Sequence, residues 1–223
     1  VGGWSGETGQ GDLVVAELGG PPPAPPITPN CLETFFASNN GGGDGGGVSF
    51  DLNLATPTTF EAMEINVNGA AGNAVTAEIW SRSGTASGAE NDPTGWTLMG
   101  SGGNLSEGVD GRTSIVFGSP FTLPAGLNGV AVVCSDGQRY TNGNGTNQMH
   151  VSPDGNIEFA GGSANNTAFA AGLFQPRIWN GALCPLQIGA DFPCAAVPNS
   201  TGEIGQMYAT GSLDVPDNNL LLT

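Results

Sequence analysis

Most of the chemistry open to this chain would fall to a single histidine, His150, and four cysteines, Cys31, Cys134, Cys184 and Cys194. Zinc sites draw on clustered Cys and His at short spacings such as CxxC, and no two of these residues stand that close. No metal site and no cofactor are expected. An even set of widely spaced cysteines points instead to two disulfides and to an oxidising compartment. Cys184 with Cys194 would close a small local loop and leave Cys31 for Cys134, although four cysteines allow three pairings and the sequence does not choose among them.

Acid–base and nucleophilic chemistry finds little to work with. His150, in "NQMHVSP", is the one imidazole that could serve a serine, and no serine lies in a nucleophile elbow. Among 20 Asp and Glu residues some pair will face another across a gap by accident, as a glycosidase requires, but nothing singles a pair out. No enzymatic activity is expected. The stretch "NNGGGDGGG", residues 39–47, lacks the Lys-Ser/Thr and following helix of a phosphate loop and the aspartate spacing of a calcium repeat, so it reads as a strand connection. Glu90 and Asp92 in "AENDPTGW", and Asp154 and Glu158 in "PDGNIE", could offer oxygens to calcium. Neither stretch has the pattern of an EF-hand loop, and solvated turn carboxylates are the simpler reading. Calcium is permitted and not indicated.

Aromatic rings that could stack on sugars are Trp80, Trp96, Trp179 and Tyr140, set against the need of a core for large side chains. Trp80 is the best glycan-contact candidate, because its register places it opposite Val75, Ala77 and Ile79. Asn104, Asn144, Asn165 and Asn199 each begin an Asn-x-Ser/Thr sequence, which signals exposed loops at most.

Charge narrows the partners. Lys+Arg number 4 against Asp+Glu 20, a formal charge of -16, and the four basic residues, Arg82, Arg112, Arg139 and Arg177, include no lysine. Such a chain repels phosphate backbones and anionic lipid, so nucleic acid is not an expected partner. No apolar run approaches the length of a membrane span. The chain begins at Val1 without an initiator Met, as a processed secreted product does. An extracellular, secreted or cell-surface location is expected.

Short alternating runs must position these residues. In "VSFDLNL", Val48, Phe50, Leu52 and Leu54 point one way and Ser49, Asp51 and Asn53 the other, the mark of a half-buried strand. Met63, Ile65 and Val67 behave alike, as do Val75, Ala77 and Ile79. "WTLMG", "TSIVF", "GVAVVCS", "QMHVS" and "PRIWNGAL" come after them, with turn residues between and no helical period. Eight or nine strands of this kind predict an all-β, two-sheet β-sandwich of jelly-roll or immunoglobulin-like form over residues 31–183. Residues 1–30 would be an extended strand plus a Pro-rich linker, and 184–223 a disulfide loop with extra strands.

The pieces "TFFASNNGGGDGGGVSFDLNL", "IWSRSGTASGAENDPTGWTLMGSG", "RYTNGNG" and "FQPRIWNGAL" resemble a secreted bacterial β-sandwich module found in extracellular proteins, often those with a PEP-CTERM sorting tail. The resemblance covers residues 31–183 and rests on turns and core positions. It implies an extracellular sandwich and no particular activity.

The front segment, "GDLVVAELGGPPPAPPITPN", carries the functional expectation. Leu13, Val15 and Glu17 face one way along an extended chain and Val14, Ala16 and Leu18 the other, so this strand wants cover on both sides. Pro21, Pro22, Pro23, Pro25 and Pro26 stiffen the linker between this strand and the sandwich. At ~3.1 Å per residue, residues 19–30 reach roughly 37 Å, about the ~38 Å diameter of a 150-residue body. Leu13, Val14, Val15, Ala16 and Leu18 would then add a strand to a neighbouring copy, each large apolar side chain contributing on the order of 1.5–3 kcal/mol before ordering costs. The expected function is a structural, homopolymeric subunit of an extracellular filament or surface appendage, joined head-to-tail by residues 12–18. Delivery of the strand to the far edge of its own body is the competing geometry. A secreted polysaccharide-binding or cell-adhesion module using Trp80 is the alternative function.

Overall fold

The computed structural model describes residues 30–186. The strand expected at 12–18, the prolines at 21–26 and Cys194 lie outside the described residues.

Alternation of apolar and polar side chains dominates residues 30–186, and the chain there folds entirely through strands and turns. In order these are β1 (Leu32–Glu33), β2 (Asn40–Gly41), β3 (Gly47–Leu54), β4 (Thr58–Ile65), β5 (Ala74–Ser83), β6 (Thr97–Leu105) and β7 (Thr113–Leu123). They continue as β8 (Gly126–Cys134), β9 (Arg139–Asn142), β10 (Met149–Val151), β11 (Ile157–Asn165), β12 (Phe174–Trp179) and β13 (Gly181–Pro185). One sheet runs β1-β13-β4-β7. The other runs β2-β9-β12-β11-β3-β8-β5-β6, with β10 added beside β11. The expected all-β sandwich of two sheets is the fold.

Between the sheets lies one continuous apolar core. Phe50, Leu52 and Leu54 of β3 meet Phe60, Met63 and Ile65 of β4, with Ile79, Ile115, Val130, Val132, Phe159 and Leu183 around them, all buried. Trp179 is 0% exposed and stacks on Phe50 with ring centroids 5.2 Å apart. Its indole N–H donates to Gln138 Oε1 at 3.1 Å, and the Gln138 amide donates in turn to the Val132 carbonyl. A buried indole nitrogen without such a partner would cost about 1–3 kcal/mol.

Two glycine positions shape the sheets. In β11 the register against β3 shifts between Ala160 and Ser163, and a Cβ on Gly162 would stand 2.2 Å from the Ser49 carbonyl oxygen. On β6, Gly102 sits opposite Ala77 of β5, a core-facing register, and a Cβ there would stand 2.1 Å from the Val116 carbonyl oxygen of β7. The bare inner face of β6 lets the edge of β7 tuck beneath it, and Asn104 Nδ2 donates to the Ser114 carbonyl across this seam at 2.9 Å.

The segment 34–39 crosses from the small sheet to the large one, and Asp110 fixes it. Its carboxylate accepts from Ser38 Oγ at 2.6 Å, from the Ser38 N–H at 3.0 Å and from Asn66 Nδ2 at 3.0 Å. These bonds, led by that of the Ser38 hydroxyl, lower the Asp110 pKa to about 2.

The cysteines correct the expected pairing. Leu32 of β1 lies opposite Leu183 of β13, which sets Cys31 against Cys184 with Cα atoms 4.1 Å apart, joined as a disulfide. Cys134 is not disulfide-bonded: it ends β8 on the core-facing register and is a free, buried thiol. Desolvation pushes its pKa up to about 11. Cys31 cannot bridge to it because strand pairing commits Cys31 to Cys184, and Cys184 is thereby taken from Cys194.

Both ties can be tested by substitution. The disulfide spans a sequence separation of 153, so replacing Cys31 and Cys184 by serine is expected to remove about 3–5 kcal/mol of unfolding free energy, read from urea titrations. Asp110 is depressed in the folded state, so its contribution is present above the unfolded carboxylate pKa and is lost as pH falls from about 4 through about 2. Asp110→Asn should flatten the fall of stability over that window, measured by urea titration at stepped pH.

Candidate functional site

The outer face of the large sheet is the first place to look for a ligand site. Direct cross-strand pairing sets Arg82, Gly129, Asp51, Ala160 and Met149 in one row across β5, β8, β3, β11 and β10. Over its middle folds the loop 84–96, held by Asp51, whose carboxylate accepts from Thr85 Oγ1 and from the Ala86 N–H, both at 2.7 Å. Beneath the loop, Ala86, Trp96 and Ala131 are buried, with Trp80, Ala89 and Phe169 packed against them. Glu90 is 5% exposed; it accepts from the Gly88 N–H at 2.7 Å and from Ser163 Oγ at 3.3 Å.

A cleft of about 190 Å³ remains between this loop and the β11 bulge, lined by Ser49, Asp51, Ser87, Glu90, Gly162 and Pro176 among others. Small-molecule sites usually run to roughly 300–1,000 Å³. Both carboxylates already accept hydrogen bonds that fasten the loop. The described residues contain no cluster of three or more His, Cys, Asp or Glu that could hold a metal ion. The cleft is the packing seam of a surface loop.

The other residues singled out by sequence fall into place individually. Trp80 lies on the outer face and is half-buried; its ring meets Phe169 edge-on at 5.4 Å, and its indole N–H donates to Glu78 Oε2 at 2.9 Å. Trp96 packs in the outer cluster, whereas Trp179 and Tyr140 belong to the core between the sheets. Asp92 and Asp154 each cap their own turn: Asp92 accepts from the Thr94 N–H, and Asp154 from the Ser152 hydroxyl and then the Asn156 N–H, which holds both carboxyls below the usual range. Glu158 accepts from Asn53 Nδ2 across the β11–β3 ladder. His150 points inward, edge-on to Phe35 and Phe159, and burial lowers its pKa. The glycine run 39–47 is a strand connection carrying β2.

All four arginines are engaged within the body. Arg112 pairs with Glu33 and Glu64 and lies over the Phe36 ring. Arg139 donates to Ser38 and Asn68, Arg82 lies over Trp96, and Arg177 over Tyr140 and Phe174.

Strand margins are the second place to look. The small sheet ends in β1 and β7, the large sheet in β2 and β6. β1 and β2 are two residues each, and β6 overlies the edge of β7. That leaves β6, nine residues long, with Thr97, Leu98, Ser101, Gly103, Asn104 and Leu105 exposed. Its sequence, TLMGSGGNL, holds no charge and no proline. Natural edges are ordinarily guarded by lysine, proline, bulges or covering segments; β6 has a bulge at Met99 but neither lysine nor proline, and among the described residues no strand pairs with its far side. Only "WTLMG" is recognisable here from sequence, because the glycine-rich remainder has the composition of a turn.

At the opposite margin, the Cys31–Cys184 bridge joins the first described strand to the last. The roots of both terminal segments are thus fastened at one point, beside β1. Among the described residues no helix is long and apolar enough to cross a membrane. No protein-family model matches the chain, and no curated protein matches it.

If Asp51 serves to hold loop 84–96, Asp51→Ala should cost about 1–3 kcal/mol, chiefly because the N–H of the buried Ala86 loses its acceptor. Trp96 should become hydrated, seen as a red shift of the native-state tryptophan fluorescence.

Proposed function

We propose that this chain is a non-enzymatic structural subunit of an extracellular filament or surface appendage, assembled head-to-tail by donation of residues 12–18 to the sandwich of a neighbouring copy. One observation carries the reading: the amino-terminal arm starts at a pinned margin of a body whose core is already closed. The sandwich of residues 30–186 builds a continuous apolar core from its own strands, and the sequence carries a further apolar run at 12–18 that the proposal assigns to a neighbouring copy. The linker from residue 19 to 30 is long enough, at roughly 37 Å, to carry it past the body from which it starts.

Other features agree with this reading. The Cys31–Cys184 disulfide suits an oxidising, extracellular setting, and a place among the secreted bacterial sandwich modules belongs to the same proposal. The outer-face cleft is too small and too tied up in loop contacts to favour a small-molecule ligand. Glycan contact through Trp80 draws less support, because its indole N–H and one side of its ring are engaged by Glu78 and Phe169.

Negative-stain electron microscopy of the full chain tests the proposal against a Val15→Pro variant, which removes a main-chain donor from the middle of the donated strand. Filaments from the unaltered chain and single particles from the variant are expected. Single particles from both would refute the proposal.

A further inference from the structure

We propose that the acceptor for the donated strand is the outer edge of β6, Thr97–Leu105, in a second copy of the chain. This rests on the filament reading and goes beyond it by naming the surface and its occupant.

The length of the donor excludes the other edges. Residues 12–18 need an edge of about seven residues, whereas β1 and β2 have two each and β10, paired only with β11, has three. β7 has eleven residues, but the inner face of β6 covers its edge, as the 2.1 Å approach of a Gly102 Cβ to the Val116 carbonyl requires. Among the margins that remain β6, nine residues long, offers the longest edge with no strand on its far side; it is in unbroken register with β5 from Gly100 to Leu105 and bulges at Met99.

The surface of β6 suits that occupant. Leu98 and Leu105, 45% and 57% exposed, stand at its two ends on the outer face, opposite Trp80 and Ala74 of β5. Between them Ser101 and Gly103 are small, so valine and leucine side chains from an added strand can lie over the acceptor backbone. The strand also carries no charge in a chain of formal charge -16. An added strand bearing Asp12 and Glu17 therefore meets no carboxylate directly opposite, a pairing that destabilises adjacent strands.

The placement of donor and acceptor sets the mode of assembly. The arm begins at β1, one margin of the small sheet, and β6 overhangs β7 at the other margin. A contact between unlike surfaces at opposite margins leaves the growing assembly with a free β6 at one end and a free arm at the other, so it repeats without closing on itself unless the rotation forms a ring.

The test uses full-length chains. Ser101→Glu puts a carboxylate beside the proposed donor at an exposed position, with the unfolding midpoint and far-UV circular dichroism as controls for the body. Loss of pelletable filaments with the body unchanged is the expected result. Filaments that persist in Ser101→Glu but vanish in Val15→Pro would overturn the β6 assignment and leave strand donation standing, whereas filaments that persist in Val15→Pro would overturn donation itself. Should Ser101→Glu fail to fold, a mixture decides: Val15→Cys chains and Ser101→Cys chains, bridged by a short bismaleimide, should give a covalent dimer absent from either population alone. Without a dimer linked between those two positions, the β6 acceptor is wrong. A chain carrying both substitutions that cross-links only to itself would show the arm folded back on its own β6, and would equally sink the proposal.

Discussion

Everything about the margins of this sandwich depends on how closely the main chain of β7 approaches the inner face of β6. Two twisted sheets facing each other leave four margins, and each is a row of N–H and C=O groups that must be paired, covered or hydrated. Gly102 leaves no side chain where Val116 presents its carbonyl, and that absence allows the large sheet to overhang the small one. One margin is buried by this overlap and another is pushed outward. A larger residue at position 102 would wedge the sheets apart, and its effect would be felt in the core beneath, where Ile115 packs.

The same glycines explain which parts of the architecture are legible in the sequence. Apolar and polar residues alternate regularly in β3 and β5. β4 and β7 share a register shift at Phe60/Ala62 and β8 is buried on both faces from Asn128 to Val132, yet their runs of apolar side chains still announce them. In β11 the alternation fails, because Gly161 and Gly162 break the period at a bulge that both neighbouring strands must accommodate. β6 is half hidden for a related reason: the glycines that permit close packing are also residues that mark turns, and composition cannot separate the two uses. β1 and β2 are too short to carry a period at all. The disulfide is out of reach for another cause. Cys31 and Cys184 meet through the pairing of the first described strand with the last, a contact of long sequence separation that local spacing does not encode, whereas Cys134 is withdrawn from pairing by the core-facing register of β8.

Candidate site residues divide along the same line. Residue type alone indicates that Asp92, Asp154 and Glu158 sit in turns or on exposed faces. What it does not indicate is that Asp51, one outward residue within a regular strand, anchors a loop ten or more residues wide, or that Asp110 joins the crossing segment to the β6–β7 connection. Both act on backbone N–H groups far away in sequence. The arginines show the complementary pattern: every positive side chain in an acidic chain is used inside the body, on carboxylates, polar groups or aromatic rings. β6, which carries no charge, stands out in a chain of formal charge -16.

Strand donation would also place a mechanical demand on the body, and the disulfide meets it at the right point. In a filament joined by its arms, tension passes along the donated strand, through the proline-rich linker and into residue 31. β1 is held to β13 by only two residue pairs, a short ladder that a steady pull would peel from its end. The Cys31–Cys184 bond lies between the linker and that ladder, and hands the load directly to β13. From there it spreads through the β13–β4 ladder, which runs from Gly181↔Ile65 to Pro185↔Phe60, and on to β7 through a longer one. In such a filament these longer ladders would share the force among many hydrogen bonds, and the covalent bond stands beside the shortest ladder, where the fewest bonds would otherwise bear it.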